Sequence, residues 1–360
     1  MDSRVREHAA LLVDHCTGVE AGDDVLVWAP ASAEELVVAV FEACGERGAN
    51  PTVLWDCPRA ERAYMRAVAP EAVGMGEHLL AQMEATDVSI TIGAGVNAFE
   101  TSDVDPAVRS ARSRVRRPHM EAYLSTRWVG THHPSPGDAQ RAGMSTAGYA
   151  EFLYDAMLRD WGEQRAFQER VAEVLESASE VRVVSGGGTD VRMSVAGNHA
   201  EIDDGRKNMP GGEVFTVPIP ETVEGTVVFD VPSVWRGREI RDARLVFEGG
   251  EVVEYDAAAN EDALGALLET DEGARRVGEI GFGTNRDITE ATGNVAFDEK
   301  IGETVHLALG RTIEEAVGAG NPTNESTVHV DLVCDLREEG FVEVDGEIVQ
   351  RNGRFAFEDE

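Results

Sequence analysis

Histidine and carboxylate residues recur at strand-like spacing in the C-terminal half of the chain. The clearest pair lies in STVHVDLVCDL, where the alternation of a β-strand would place His329 and Asp331 on one face. An imidazole and a carboxylate that project side by side from a strand can converge on one metal ion. The chemistry that this pair indicates is therefore metal binding.

Three further segments carry a candidate ligand beside very small residues. His306 lies in TVHLALG, Glu279 in GEIGFGTN and Glu213 in PGGEVFTVP. The neighbouring alanines and glycines leave room for an ion and a substrate. Taken singly, a glutamate after two glycines is usually a turn residue, and a histidine on an apolar strand usually belongs to the core. Four such segments, in a chain with only nine histidines, predict a metal site whose mixed imidazole and carboxylate ligands suit Zn²⁺, Co²⁺ or Mn²⁺.

Lysine is rare and unusually placed. Lys207 and Lys300 are the only two lysines, and the other thirty basic residues are arginines. Each lysine stands six residues before a candidate ligand. We expect at least one to point into the metal cavity as a catalytic residue, where its compact charge would neutralise a carboxylate or stabilise an oxyanion. The alternative is a structural ion pair, for Lys300 with Asp298 or Glu299.

The first part of the chain alternates between strand-like and helical periods. Its strand-like runs include VLVWAP, PTVLWD and VSITIGAG. This order predicts a doubly wound, mostly parallel sheet in an α/β, Rossmann-like domain. Nucleotide binding by this domain stays open as an alternative, although a full GxGxxG loop is missing. We expect Ser32 to cap a helix over AEELVVAVFEACGERG that ends at Gly48.

The second part of the chain differs in its patterning. One long helix is predicted over AGYAEFLYDAMLRDWGEQRAFQERVAEVLESA, leading from one domain to the next. Beyond residue 180, short strands separated by glycine- and aspartate-rich turns predict an α+β domain. We therefore assign residues 1–165 to the α/β domain and residues 166–360 to an α+β domain that carries the metal site.

The charge of the chain restricts its partners and compartment. Sixty-seven acidic residues against 32 basic ones give a formal net charge of −35, and no basic stripe is present that would bind nucleic acid. No apolar run approaches 18 residues, no signal peptide precedes the first helix and no CxxC pair occurs, so we expect a cytoplasmic protein without a membrane partner. Acidity with almost no lysine suggests a halophile, because molar salt shortens the Debye length to about 3 Å. An ordinary acidic protein from a GC-rich genome is the alternative.

Several segments together resemble the thermophilic metalloprotease family of aminopeptidases. They are KNMPGGEVFTVP, GEIGFGTN, GNVAFDEKIGETVHLALG and STVHVDLV. The resemblance implies a homodimer with an enclosed cavity, peptide substrates and a dinuclear site between two domains. It also implies the complete set of metal ligands, which are Glu213, Glu279, His306, His329 and Asp331. Some relatives carry a tyrosine in the segment that corresponds to GRTIEEAVGAG, and this chain has none there.

The resemblance favours one function and leaves two alternatives. It implies that two divalent ions, of zinc, cobalt or manganese, activate a water molecule that hydrolyses the N-terminal peptide bond. Either Glu213 or Glu279 would carry the proton to the leaving amine. Relatives of this fold include Fe(II) dioxygenases that open dihydroxypyridine rings, for which His306, His329 and Asp331 would suffice. The other alternative is a metal- or peptide-binding protein without catalytic activity.

Overall fold

The computed structural model describes residues 2–97 and 99–359. The chain forms two units: the first comprises the chain up to Arg159 together with Gly205–Pro210, and the second comprises Asp160–Asp204 and the chain from Gly211 onward. The prediction placed a single domain boundary after residue 165, and it did not include the return of Gly205–Pro210 to the first unit.

The regular elements are as follows. The helices are α1 (Ser3–Ala10), α2 (Glu34–Arg47), α3 (Pro58–Ala67), α4 (Glu77–Glu84), α5 (Pro106–Ser125), α6 (Pro136–Arg141), α7 (Thr146–Met157), α8 (Trp161–Glu176), α9 (Glu261–Leu268) and α10 (Val295–Asp298). The strands are β1 (Asp24–Pro30), β2 (Asn50–Asp56), β3 (Val88–Gly93), β4 (Arg127–His132), β5 (Glu180–Ser185), β6 (Thr189–Ser194), β7 (Glu201–Asp203), β8 (Asn208–Met209), β9 (Glu213–Thr216), β10 (Glu224–Phe229), β11 (Ser233–Trp235), β12 (Arg238–Ile240), β13 (Ala243–Glu248), β14 (Glu251–Asp256), β15 (Val277–Gly283), β16 (Thr304–Gly310), β17 (His329–Asp335), β18 (Phe341–Val344), β19 (Glu347–Arg351) and β20 (Arg354–Phe355).

The first unit contains a parallel sheet in the order β2-β1-β3-β4-β8. Its central strands β1 and β3 are buried along most of their length, which explains their nearly continuous apolar sequences. Helix α2 ends at Gly48, whose left-handed backbone conformation at φ 76° closes the helix as predicted. The parallel, doubly wound prediction is confirmed.

Two local predictions about helices are wrong. Ser32 does not cap α2, because it lies in a short turn of 3-10 helix and its hydroxyl donates to the carbonyl of Ala94. The long helix is interrupted between α7 and α8, where the side chain of Asp160 accepts hydrogen bonds from the amides of Gly162 and Glu163. Aspartate favours this capping position over a helix interior, so a new helix begins there.

The second unit consists mainly of two antiparallel sheets that share one hydrophobic core. The eight-stranded sheet has the order β14-β13-β10-β6-β5-β18-β19-β20, and the five-stranded sheet has the order β17-β16-β15-β9-β7. Apolar side chains from both sheets pack together with α8 and α9. Strands β15 and β16 are buried at every residue, so polar side chains on them lie inside the protein. The α+β prediction for this half is confirmed.

Across the described parts of the chain, no helix combines the length and apolar character needed to cross a membrane.

Candidate metal centre

All five candidate ligands lie on four adjacent strands of the five-stranded sheet. Glu213 begins β9, Glu279 lies on β15, His306 lies on β16, and His329 and Asp331 lie on β17. The strand register alternates ligands with small residues: Ala308 pairs with Glu279 on one side and with Asp331 on the other. An alanine between two carboxylates leaves a space at the sheet surface that an ion can fill.

Gly281 makes a second space. It pairs with His306 across β15 and β16, and a Cβ atom at this glycine would lie 2.1 Å from Nε2 of the imidazole. The ring therefore lies directly over the glycine. Any larger residue at position 281 would displace His306 from the centre.

The ligand atoms form two groups that share one residue. Glu213, Glu279 and His306 form the first group, and Glu279, His329 and Asp331 form the second, with the ligand atoms of each group within 4.8 Å of one another. Oε1 of Glu279 lies 3.2 Å from Nε2 of His306, and Oε2 of Glu279 lies 3.8 Å from Nε2 of His329. The two oxygens of Glu279 thus face two separate positions.

Backbone carbonyls orient both imidazoles. Nδ1 of His306 lies 3.0 Å from the carbonyl oxygen of Glu299, and Nδ1 of His329 lies 2.8 Å from that of Arg311. A carbonyl can only accept, so each Nδ1 carries the proton and donates it. In the neutral form, each Nε2 therefore turns an unprotonated lone pair toward the carboxylates.

This arrangement fits a cation. The lone pair of His306 Nε2 would face Oε2 of Glu213 at 3.3 Å and Oε1 of Glu279 at 3.2 Å. Three electron-rich atoms at these distances repel one another unless a proton or a metal ion lies among them. Imidazole with carboxylates is the donor set of divalent zinc, cobalt and manganese.

Lys300 is fully buried beside this centre. Its ammonium donates to Oε1 of Glu213 at 2.8 Å and to the carboxylate of Glu299, and it lies 3.4 Å from Oδ2 of Asp203. The lysine contacts a candidate ligand and also forms the ion pair with Glu299. The carboxylate of Asp298 accepts hydrogen bonds from the amide and hydroxyl of Thr292.

Lys207 belongs to the first unit, where its side chain is exposed and its carbonyl accepts a hydrogen bond from the amide of Gly130. It is not among the residues that the second unit brings together. Its catalytic role stays a prediction.

Crowding of carboxylates in a buried place perturbs their ionisation. Burial raises the pKa of Glu213 to about 7, although the nearby charge of Lys300 opposes the rise, and the pKa of Glu299 is raised to about 7 in the same way. Burial alone would lower the pKa of His306, but the hydrogen bond to Glu279 and the charge of Glu213 raise it to about 10. Groups perturbed in this direction hold a cation strongly, whether a proton or a metal ion.

Glu299 and Asp203 complete the charged surroundings, and the sequence did not identify either as a site residue. Glu299 is preceded by an aspartate and followed by a rare lysine inside an otherwise apolar segment, a cluster that could have marked it. Asp203 lies on β7, in an acidic segment without any distinguishing signal.

Comparison with known proteins identifies the family of the chain. A family model described as thermophilic metalloprotease (M29) matches residues 1–355. Aminopeptidase T from Thermus aquaticus is 29% identical over 375 residues, which cover 91% of this chain and 90% of that protein.

Two solved structures share the fold. AmpT from Thermus thermophilus has a TM-score of 0.87 and 24% identity, covering 98% of this chain and 99% of that one. A 2,5-dihydroxypyridine dioxygenase from Pseudomonas putida KT2440 has a TM-score of 0.64 and 16% identity, covering 98% of this chain and 96% of that one. At these identities the likeness concerns the fold. The match to the family model over nearly the whole chain is more specific: the chain belongs to the thermophilic metalloprotease family M29, whose members hydrolyse peptide bonds with a divalent metal cofactor.

Proposed function

We propose that the protein is a metallo-aminopeptidase that removes the N-terminal residue of peptides at a dinuclear centre. The observation that carries this proposal is the pair of ligand groups that share Glu279, one carboxylate oxygen facing each group. The family is a metalloprotease family, and the relative from Thermus aquaticus is named an aminopeptidase.

The charge of the cluster supports two ions. It gathers five carboxylates and one ammonium, which belong to Glu213, Glu279, Asp331, Glu299, Asp203 and Lys300. With the carboxylates ionised and both histidines neutral, as metal binding requires, five negative charges and one positive charge leave four negative charges in a buried place, and uncompensated buried charge is costly. Two divalent cations would neutralise these four charges, whereas one would leave two negative charges uncompensated.

The first ion would be held by Glu213, Glu279 and His306, and the second by Glu279, His329 and Asp331. When bound, such ions would lower the pKa of a coordinated water molecule toward about 7 and would polarise the scissile carbonyl. Either Glu213 or Glu279 would carry a proton to the leaving amine. Lys300 holds one oxygen of Glu213 and neutralises part of the surrounding charge.

A mononuclear Fe(II) dioxygenase is the alternative within the same fold. Its facial triad requires two histidines and one carboxylate, which His306, His329 and Asp331 would provide. The two additional carboxylates of Glu213 and Glu279, buried among these residues, favour two ions over one.

Purification in molar KCl, followed by measurement of metal content, tests the proposal. We expect two ions per chain, loss of aminoacyl p-nitroanilide hydrolysis on chelation, and recovery with Co²⁺, Mn²⁺ or Zn²⁺. One iron per chain together with oxygen uptake on 2,5-dihydroxypyridine would show that the hydrolase assignment is wrong. Bound metal without either activity would indicate a binding protein.

We also propose that the enzyme acts as a homodimer in a salt-rich cytoplasm. The resemblance to the family supports the dimer, and the net charge of −35 with only two lysines supports the high-salt compartment. Sedimentation equilibrium in molar KCl measures the oligomeric state directly, and a monomer at micromolar concentration would contradict the dimer.

A further inference from the structure

The charged side chains around the metal centre differ in their exposure to solvent. Lys300 and His306 are fully buried, and the three carboxylates of the two ligand groups are 6 to 9% exposed. The carboxylate of Glu299 is 15% exposed, and the imidazole of His329 is 22% exposed. Glu299 and His329 are therefore more exposed to solvent than the other charged side chains around the centre.

Glu299 belongs to neither ligand group. Its Oε1 accepts a hydrogen bond from Lys300, and its backbone carbonyl accepts one from Nδ1 of His306. Within the described residues, 2–97 and 99–359, Oε2 has no hydrogen-bond partner. This partly exposed side chain thus keeps one carboxylate oxygen available, and its residue is anchored by a backbone contact to a candidate ligand.

Lys300 does not cancel this negative charge. Its single ammonium is shared among the carboxylates of Glu213, Glu299 and Asp203. Lys300 alone therefore does not neutralise these three carboxylates when they are ionised. The chemical group that a partly exposed carboxylate of this kind binds best is a cationic hydrogen-bond donor.

We propose that Oε2 of Glu299 accepts a hydrogen bond from the α-amino group of the substrate and so selects peptides with a free N-terminus. This inference rests on the proposed aminopeptidase function, because an exopeptidase must distinguish a terminal amine from an acylated nitrogen. A carboxylate makes that distinction because its hydrogen bond to an ammonium joins two opposite charges, whereas an acylated nitrogen donates without a charge. His329, the other exposed residue, carries its Nδ1 proton toward Arg311 and offers the amine no such charge.

The test compares Glu299→Gln with Asp203→Asn. Both variants remove one negative charge beside Lys300, but Asp203 is only 8% exposed and lies on β7. The probes are L-leucine and 4-methylpentanoate, which differ in the amino group. Their dissociation constants are measured by calorimetry on metal-reconstituted protein, with metal content, kcat and KM for leucine p-nitroanilide determined in parallel.

We expect Glu299→Gln to weaken leucine binding by about 10- to 100-fold, the value of one hydrogen bond to a charged group. Binding of 4-methylpentanoate and the number of ions per chain should stay unchanged, and KM should rise with little change in kcat. Asp203→Asn should keep the preference for leucine.

Three results would overturn the inference. In the first, the wild type binds leucine no more tightly than 4-methylpentanoate, or Glu299→Gln binds leucine as tightly as the wild type does. In the second, kcat falls at constant KM, which would make Glu299 a proton carrier. In the third, the variant binds fewer ions, which would make Glu299 a ligand. A wild-type protein that hydrolyses no aminoacyl anilide would instead contradict the proposed function, so the two failures are distinguishable.

Discussion

Replacing Gly281 with alanine should disable the metal centre through a single methyl group. The added Cβ would lie 2.1 Å from Nε2 and 2.2 Å from Cε1 of His306, whereas ordinary contact begins at 3.4 Å. The imidazole must therefore retreat by more than about 1 Å. It is fully buried and held at Nδ1 by the carbonyl of Glu299, so the retreat breaks that hydrogen bond or shifts β16.

A displacement of about 1 Å at a reacting centre costs about 100-fold in rate. We expect kcat/KM of Gly281→Ala for an aminoacyl p-nitroanilide to fall by that factor or more. The ion content should drop from two per chain toward one, because His306 belongs to only one of the two ligand groups. Stopped spectrophotometric assays and mass-spectrometric metal analysis measure the two quantities on the same sample.

Gly225→Ala serves as a matched control. Gly225 lies on β10 in the other sheet of the same unit, its φ is +118°, and a Cβ there would lie 2.2 Å from the carbonyl oxygen of Asp190. This variant should melt at a lower temperature but bind the normal number of ions per folded chain. If Gly281→Ala retains wild-type activity and two ions, the placement of His306 over the glycine is wrong.

Three further predictions concern charge. Lys300→Met leaves Glu213 and Glu299 without their shared buried cation, so the metal-free protein should lose about 3–5 kcal/mol of stability in urea titrations; an unchanged midpoint would contradict this. Dilution from molar KCl to tens of millimolar salt should unfold the protein, because repulsion at a net charge of −35 is then less screened. Circular dichroism and activity that stay constant on dilution would contradict the halophile interpretation. Burial, with His133 and His132 nearby, lowers the pKa of His8 from 6.5 to about 3, so only the unfolded chain takes up this proton as the pH falls through that window. The wild type should therefore lose up to about 1.4 kcal/mol of stability per pH unit relative to His8→Gln between pH 6.5 and 3. If urea unfolding gives the two proteins the same dependence of stability on pH, this prediction is wrong.

The sequence predicts individual strands well because each strand carries its own periodicity. VLVWAP, PTVLWD and VSITIG correspond to β1, β2 and β3 within one or two residues. The same periodicity placed His329 and Asp331 on one face and indicated small neighbours beside His306 and Glu279, and the structure gathers these side chains with Glu213.

Strand order and local capping were beyond the reach of periodicity. Nothing in the residues around Glu213 specifies that β9 pairs with β15, because that contact joins segments about seventy residues apart. The helix break before Trp161 depends on hydrogen bonds from two backbone amides to the side chain of Asp160, which the helical period does not reveal. The proximity of Asp203 to Lys300 likewise follows from the pairing of β7 with β9.

The return of Gly205–Pro210 to the first unit determines how that unit can be completed. Strand β8 supplies the edge of the parallel sheet: the carbonyl of Lys207 accepts from the amide of Gly130, and the carbonyl of Met209 accepts from the hydroxyl of Thr131. A fragment that stops at Arg159 would leave β4 as a bare edge and deprive Thr131 of its acceptor. During synthesis on the ribosome, the N-terminal sheet must likewise wait for some fifty more residues before its last strand emerges.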